Sequence, residues 1–256
     1  MADGAAQERC PPITLENLLR ITRVVAVTAL ALGLSLNPAP AHAEPPVESS
    51  CQFSDGTLSD TTVILGATGI VPVDLAVTAT GCRPNTAAVV EFAELFRGEI
   101  HATTDDPTRW AGTVDIDVDY LYNKDAGVEW PGVVILNGES SDFGATITVL
   151  RDSRLTTHVP SKVKKGKKLH IAGYLTRADW SRIAYSGYEN QLVWLQFRPS
   201  GGSYKTISKF RSRPGIQAGS VYENLKAKKS GCFRWKFDGS STTDSVVSKA
   251  DCTTVH

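Results

Sequence analysis

Three carboxylates, Asp115, Asp117 and Asp119, alternate with Val114, Ile116, Val118 and Tyr120. On a strand this spacing puts all three on one face, about 7 Å apart. Calcium takes about six to eight oxygens at about 2.3–2.6 Å, so neighbouring loops would have to supply further ligands. Asp105 and Asp106 are close in the chain, but no DxDxDG loop is present. The plainer reading of the run is a solvated acidic face. Calcium is the one cofactor these residues suggest, and otherwise none is expected.

A second candidate chemistry is aromatic stacking. Val193, Leu195 and Phe197 alternate with Trp194, Gln196 and Arg198. If the first set faces the core, Trp194 faces outward. Trp180, Tyr185 and Tyr188 stand on the segment just before it. Together these four could form a platform that stacks on sugar faces, since Trp and Tyr commonly anchor binding surfaces. The plainer reading packs Trp180 and Tyr188 at the core edge and leaves Trp194 exposed or covered by another domain. Two lysine clusters add charge: Lys162, Lys164, Lys165, Lys167 and Lys168, then Lys226, Lys228 and Lys229. Charge alone suits nucleic acid, but in a secreted chain anionic wall polymers are the better match. A solvated turn around Gly166 accounts for the first cluster most simply.

Signatures of catalysis are missing from the sequence. Val63-Ile64-Leu65-Gly66-Ala67-Thr68-Gly69 imitates the strand and glycine turn of a dinucleotide site. That site needs another glycine near position 72 and a following helix. Position 72 is Pro, and a strand pattern follows. GxSxG and HExxH do not occur, and the histidines are scattered. The members of a Ser-His-Asp triad need only meet in space, but nothing favours one. The expectation is a non-enzyme, with a hydrolase of unrecognised site as the remote alternative.

The elements that would position these groups are strands. Thr61–Leu65, Val71–Ala79, Val114–Tyr120, Val133–Leu136 and Ala145–Leu150 read as strands in the first half. Ala87–Phe96 fits either a strand or one helical face. In the second half, Ser161–Ile171 reads as strand, basic turn and strand, Ile171–Thr176 continues it, and the hairpin 190–207 and Phe233–Phe237 carry the pattern on. Short strands with frequent turn signals indicate an all-β chain of sandwich type.

Residues 1–43 read as a Sec signal peptide. Arg9, Arg20 and Arg23 precede an apolar run, Val24–Leu36, and Ala41-His42-Ala43 supplies a cleavage site after Ala43. The run is shorter than the roughly 20 residues that span a bilayer. Secretion without a membrane span is therefore expected. Of five cysteines, Cys10 falls in the signal. The other four are expected to pair as Cys51–Cys82 and Cys232–Cys252, because each pair then lies within one charge-distinct half. That division is sharp: residues 44–150 hold 17 acidic and 4 basic side chains, and residues 151–256 hold 7 acidic and 20 basic. Attraction between the halves, within one chain or between chains, is a further expectation.

The second half also resembles a known group. Lys164-Lys165-Gly166-Lys167, Gly173, Leu175, Arg177-Ala178-Asp179-Trp180, Gly187-Tyr188, Gln191, Leu195-Gln196-Phe197-Arg198 and Arg234-Trp235 match a pattern in secreted actinobacterial proteins with tandem immunoglobulin-like domains. The first half is similar to that family's upstream domain through Val63–Gly66, Val71–Ala79, Asn123–Gly127 and Ile147–Arg154. The resemblance implies architecture and secretion, and transfers no catalytic residue. The expected organisation is a signal peptide (1–43), a lead (44–60), an acidic immunoglobulin-like sandwich (61–152, tied to Cys51) and a basic one (153–256). The expected role is non-catalytic binding or structure outside the cell. A cell-wall polymer or a protein is the expected partner, and nucleic acid is not.

Overall fold

In the first half, alternation of apolar and polar residues drives the chain into strands. Val73, Leu75, Val77 and Ala79 are buried while their neighbours are exposed or half-buried. The computed structural model describes residues 51–83 and 86–256. The expected signal peptide, the lead up to residue 50, and positions 84 and 85 of the turn after Cys82 lie outside the described residues. The strands of this half are β1 (Gln52–Leu58), β2 (Thr62–Leu65), β3 (Ile70–Thr80), β4 (Ala87–Phe92), β5 (Phe96–Ala102), β6 (Arg109–Asp117), β7 (Glu129–Leu136) and β8 (Glu139–Arg151).

These eight strands form one sheet in the order β1-β3-β6-β5-β4-β7-β8-β2. It folds over until β1 packs against β8. β1 pairs antiparallel with β3, whereas β2 crosses over and runs parallel to β8. The resulting two layers enclose Trp110, Phe92, Phe96, Phe143, Ile116 and Ile147. β1 falls inside the segment expected to be lead. Its alternation is broken by a register shift between Ser54 and Thr57, with Asp55 at φ 52°, which hides the strand from a period-two reading. Ala87–Phe96 resolves into a hairpin. Ala93 and Glu94 take φ of 53° and 59°, a tight turn made without the Asn or Gly that normally announces it.

The second half repeats the plan. Its strands are β9 (Ser153–Leu155), β10 (Lys162–Val163), β11 (Lys168–Asp179), β12 (Ala184–Gly187), β13 (Leu192–Pro199), β14 (Lys205–Arg211), β15 (Ser220–Lys226), β16 (Gly231–Phe237), β17 (Val246–Val247) and β18 (Asp251–Val255). One sheet has the order β10-β18-β16-β13-β14, with β17 on β16. The other has the order β12-β11-β15, with β9 on β11. β10 runs parallel to β18, as β2 does to β8. Ile171, Leu175, Val193, Leu195, Val221, Phe233 and Trp235 fill the space between the sheets. The fold is therefore all-β, with two immunoglobulin-like sandwiches in tandem.

Both expected disulfides form. Cys51–Cys82 ties the start of β1 to the end of β3. Cys232–Cys252 joins directly opposed positions on β16 and β18. Within Glu48–His256 the two halves make one compact unit.

Candidate functional site

The four aromatic residues expected to share a platform are dispersed. Trp180 and Tyr185 go to the junction of the halves, whereas Tyr188 packs in the second half's own core against Phe237. β11 and β12 form a hairpin whose tip, residues 180–183, reaches the first sandwich. Ala178 and Trp180 are fully or nearly fully buried in the first half's core cluster, and Tyr185 packs against it. Trp180 Nε1 donates to the Gly66 carbonyl at 2.9 Å, and its backbone N–H donates to Asn123 Oδ1 at 2.9 Å. The platform reading of Trp180 and Tyr188 is thus corrected in favour of the plainer one, since both are buried. Period-two alternation says that a side chain is buried but not against which core.

Polar groups complete the joint. Asn123 Nδ2 donates to Asp179 Oδ1 at 2.7 Å, and Ser186 Oγ donates to Asp179 Oδ2 at 3.1 Å. Burial works against the Asp179 carboxylate. Those hydrogen bonds and the Arg182 and Arg151 charges outweigh it and hold its pKa below the ordinary value. Arg151 is buried and donates from Nε to the Ala178 carbonyl at 2.6 Å. Burial, with Arg177 beside it, lowers its pKa to about 10. Tyr185 donates to Asp152 Oδ2 at 2.5 Å, and Arg154 lies 3.5 Å above the Tyr185 ring. Arg177 covers Tyr188 in the same way at 3.9 Å. On the far side Gly127 has φ +78°, and a Cβ there would meet the Ser241 carbonyl at 2.2 Å, so only glycine lets these backbones approach. Among the described residues, the contacts between the halves are apolar packing and hydrogen bonds.

Trp194 alone of the four stays on an outward face. It is half-buried, and its cross-strand neighbours are Lys209 on β14 and Lys236 on β16. Two residues along, Gln196 Oε1 accepts from Arg234 Nε at 2.7 Å. Arg234 stacks over the Tyr204 ring at 3.8 Å, and Arg198 approaches the same ring at 4.9 Å. Tyr204 was not among the expected residues. Its only signal was position, just beyond the turn that returns β14 alongside β13. The exposed Cys232–Cys252 bridge continues this face beside Arg198. Arg198, Lys209, Arg211, Arg234 and Lys236 therefore surround two aromatic rings, and Asp238 pairs with Lys236 at 2.6 Å.

The acidic run is arranged differently from expectation. β6 ends at Asp117, and Val118–Tyr120 form a 3₁₀ turn. Asp117 Oδ1 accepts from the Asp119 N–H at 3.0 Å, a local bond that competes with strand pairing. Asp115 stays on the strand opposite Pro72, Asp119 leaves it, and Tyr120 is 59% exposed instead of inward-facing. Among the described residues, no group of three His, Cys, Asp or Glu is placed to hold a metal ion.

The chain matches no family model and no curated protein. Among solved structures, it is similar to a superoxide reductase (neelaredoxin) from Ignicoccus hospitalis, with 16% identity and a TM-score of 0.28. That match covers 40% of this chain and 80% of the other. A putative superoxide reductase from Thermotoga maritima gives 16%, 0.27, 40% and 85% for the same quantities. A marsupial T cell receptor gives 12%, 0.41, 78% and 72%. Likenesses of this size speak to neither activity nor ligand.

Proposed function

We propose that the protein is secreted and non-catalytic, and that it binds an anionic polysaccharide of the extracellular space. The binding surface is the outer face of β13, β14 and β16. The observation that carries this reading is Trp194 set between Lys209 and Lys236, with Arg198 and Arg234 gathered on Tyr204 one step away. Aromatic rings offer flat apolar surface to a sugar ring, and the flanking cations meet its carboxylates or phosphates. Two disulfides suit an oxidising compartment. No helix among the described residues is long and apolar enough to cross a membrane. The expected signal peptide and the resemblance to secreted actinobacterial proteins point the same way, and an anionic wall polymer is the natural candidate.

Co-sedimentation of the purified protein with bacterial cell walls, at low and high salt, tests this. Binding should weaken with salt, because exposed charges are screened within about 8 Å at physiological ionic strength. It should also fall about tenfold or more in Trp194→Ala. Binding that ignores both Trp194→Ala and the double change Lys209→Ala/Lys236→Ala would refute the assignment of this face.

A further inference from the structure

The two lysine clusters, about sixty residues apart in sequence, meet at one end of the second sandwich. Lys168 and Lys226 are cross-strand partners. The Gly166 N–H donates to the Ala227 carbonyl and the Ala227 N–H to the Lys167 carbonyl, both at 2.8 Å. Gly166 turns the chain at φ +80°, and Lys226 Cε lies 3.7 Å from where its Cβ would be. Among the described residues, no carboxylate pairs with Lys164, Lys165, Lys167, Lys168, Lys226, Lys228 or Lys229. Like charges in cross-strand register destabilise a sheet, so this concentration of cations is costly unless an anion joins it.

Beside it lies an apolar cleft of about 440 Å³, within the size range of small-molecule sites. Its walls come from both sheets: Leu169 and Leu225 from one, Phe197, Phe233 and Ile207 from the other. It opens between β14 and β15, each the edge strand of its sheet. The Phe197 and Phe233 rings, 4.7 Å apart, line it side by side. Ile207 reaches it through a bulge. Leu195 pairs with Ser208 and Gln196 with Thr206, leaving Ile207 as the extra residue, and bulges re-aim side chains in this way. Lys226, Lys228 and Lys229 stand at the mouth.

We propose that this cleft binds a single-chain anionic amphiphile, with the acyl chain against Phe197, Phe233 and Ile207 and the headgroup among Lys226, Lys228 and Lys229. An apolar slot with a cationic rim is complementary to a molecule that is apolar at one end and anionic at the other. A purely ionic ligand would leave the slot empty, and a neutral lipid would leave the lysines unpaired. The site is separate from the Trp194 face and does not depend on it.

Titration calorimetry of the purified protein with octanoate, decanoate and dodecanoate, each below its micellar concentration, tests the proposal. Each step of two methylenes should tighten binding about fifteenfold. Lys228→Ala/Lys229→Ala should weaken dodecanoate at least fivefold and leave a neutral dodecyl detergent unchanged. Ile207→Trp, which fills the slot from a 42% exposed position, should weaken both ligands. Trp194→Ala should weaken neither, so this proposal and the polysaccharide reading fail separately. Absence of binding, affinity independent of chain length, or binding only to phosphatidylglycerol vesicles and not to monomeric carboxylate would overturn it.

Discussion

Trp180 and Trp194 stand fourteen residues apart in the same basic half, and they do opposite work. Trp180 has left its own sandwich and completes the core of the other. It is 4% exposed, and both of its N–H groups are bonded across the junction. Trp194 points away from its own core, with lysines on either side. The difference lies in what surrounds each ring. Around Trp180, the polar groups of Asn123, Asp179 and Ser186 satisfy one another. Around Trp194, cations outnumber acids, and among the described residues only Lys236 of these cations has an acidic partner. A satisfied aromatic site holds a structure together, whereas an unsatisfied one is available to a ligand.

The largest effect that would separate these roles is Trp180→Ala. Removing a buried tryptophan typically costs about 3–5 kcal/mol. Here the loss should appear as destabilisation of the first half, although the residue belongs to the second. Hydrogen exchange should show faster opening around Gly66 and Asn123. Protection there that matches the unaltered protein would break the comparison.

Next in size is the exposed bridge. Cys232 and Cys252 are 20 residues apart, and opening a loop of that length should cost about 3 kcal/mol in the chain-entropy model. Replacing both with serine should lower the melting temperature while leaving the Trp180 environment intact, as read by near-ultraviolet circular dichroism. A bridge change that also disturbed the junction would mean that the two regions are coupled.

Smaller again is the acid response of the joint. The Asp179 pKa is lowered in the folded protein, against about 3.9 when unfolded. A depressed carboxylate contributes stability that is fully present above the unfolded value and lost as pH falls through the folded one. The stability gap between the unaltered protein and Asp179→Asn should therefore be constant near neutrality and shrink below about pH 4. Denaturant titrations at a series of pH values would show it, and a gap that widens towards acid would contradict the assigned direction.

Much of the fold was legible in the sequence, because alternation such as Val73-Leu75-Val77 or Val193-Leu195-Phe197 reports a half-buried strand directly. The cysteine pairing followed from the charge-distinct halves. Other features were hidden for identifiable reasons. The Ala93–Glu94 turn uses positive φ without glycine. Asp117 ends its strand through a side-chain bond that alternation does not register. Trp180 reads as an aromatic near a turn, and its destination depends on a carbonyl at Gly66, 114 residues away. The two lysine clusters were both visible, but their meeting follows from the pairing of β11 with β15. Trp194 was found by parity alone, while its companions Lys209, Arg234 and Tyr204 needed the register.

The smallest expected effect on stability is the most informative. Trp194→Ala removes a ring from a sheet face, not from a core, and should change stability by no more than about 0.5 kcal/mol. The decisive measurement sets Trp194→Ala beside Trp180→Ala and reads both melting temperature and affinity for cell-wall polysaccharide. The account predicts a crossed result, in which Trp194→Ala melts like the unaltered protein and loses binding, while Trp180→Ala loses stability and, below its melting point, still binds. If Trp194→Ala binds as tightly as the unaltered protein, the claim that this face recognises the polymer is contradicted.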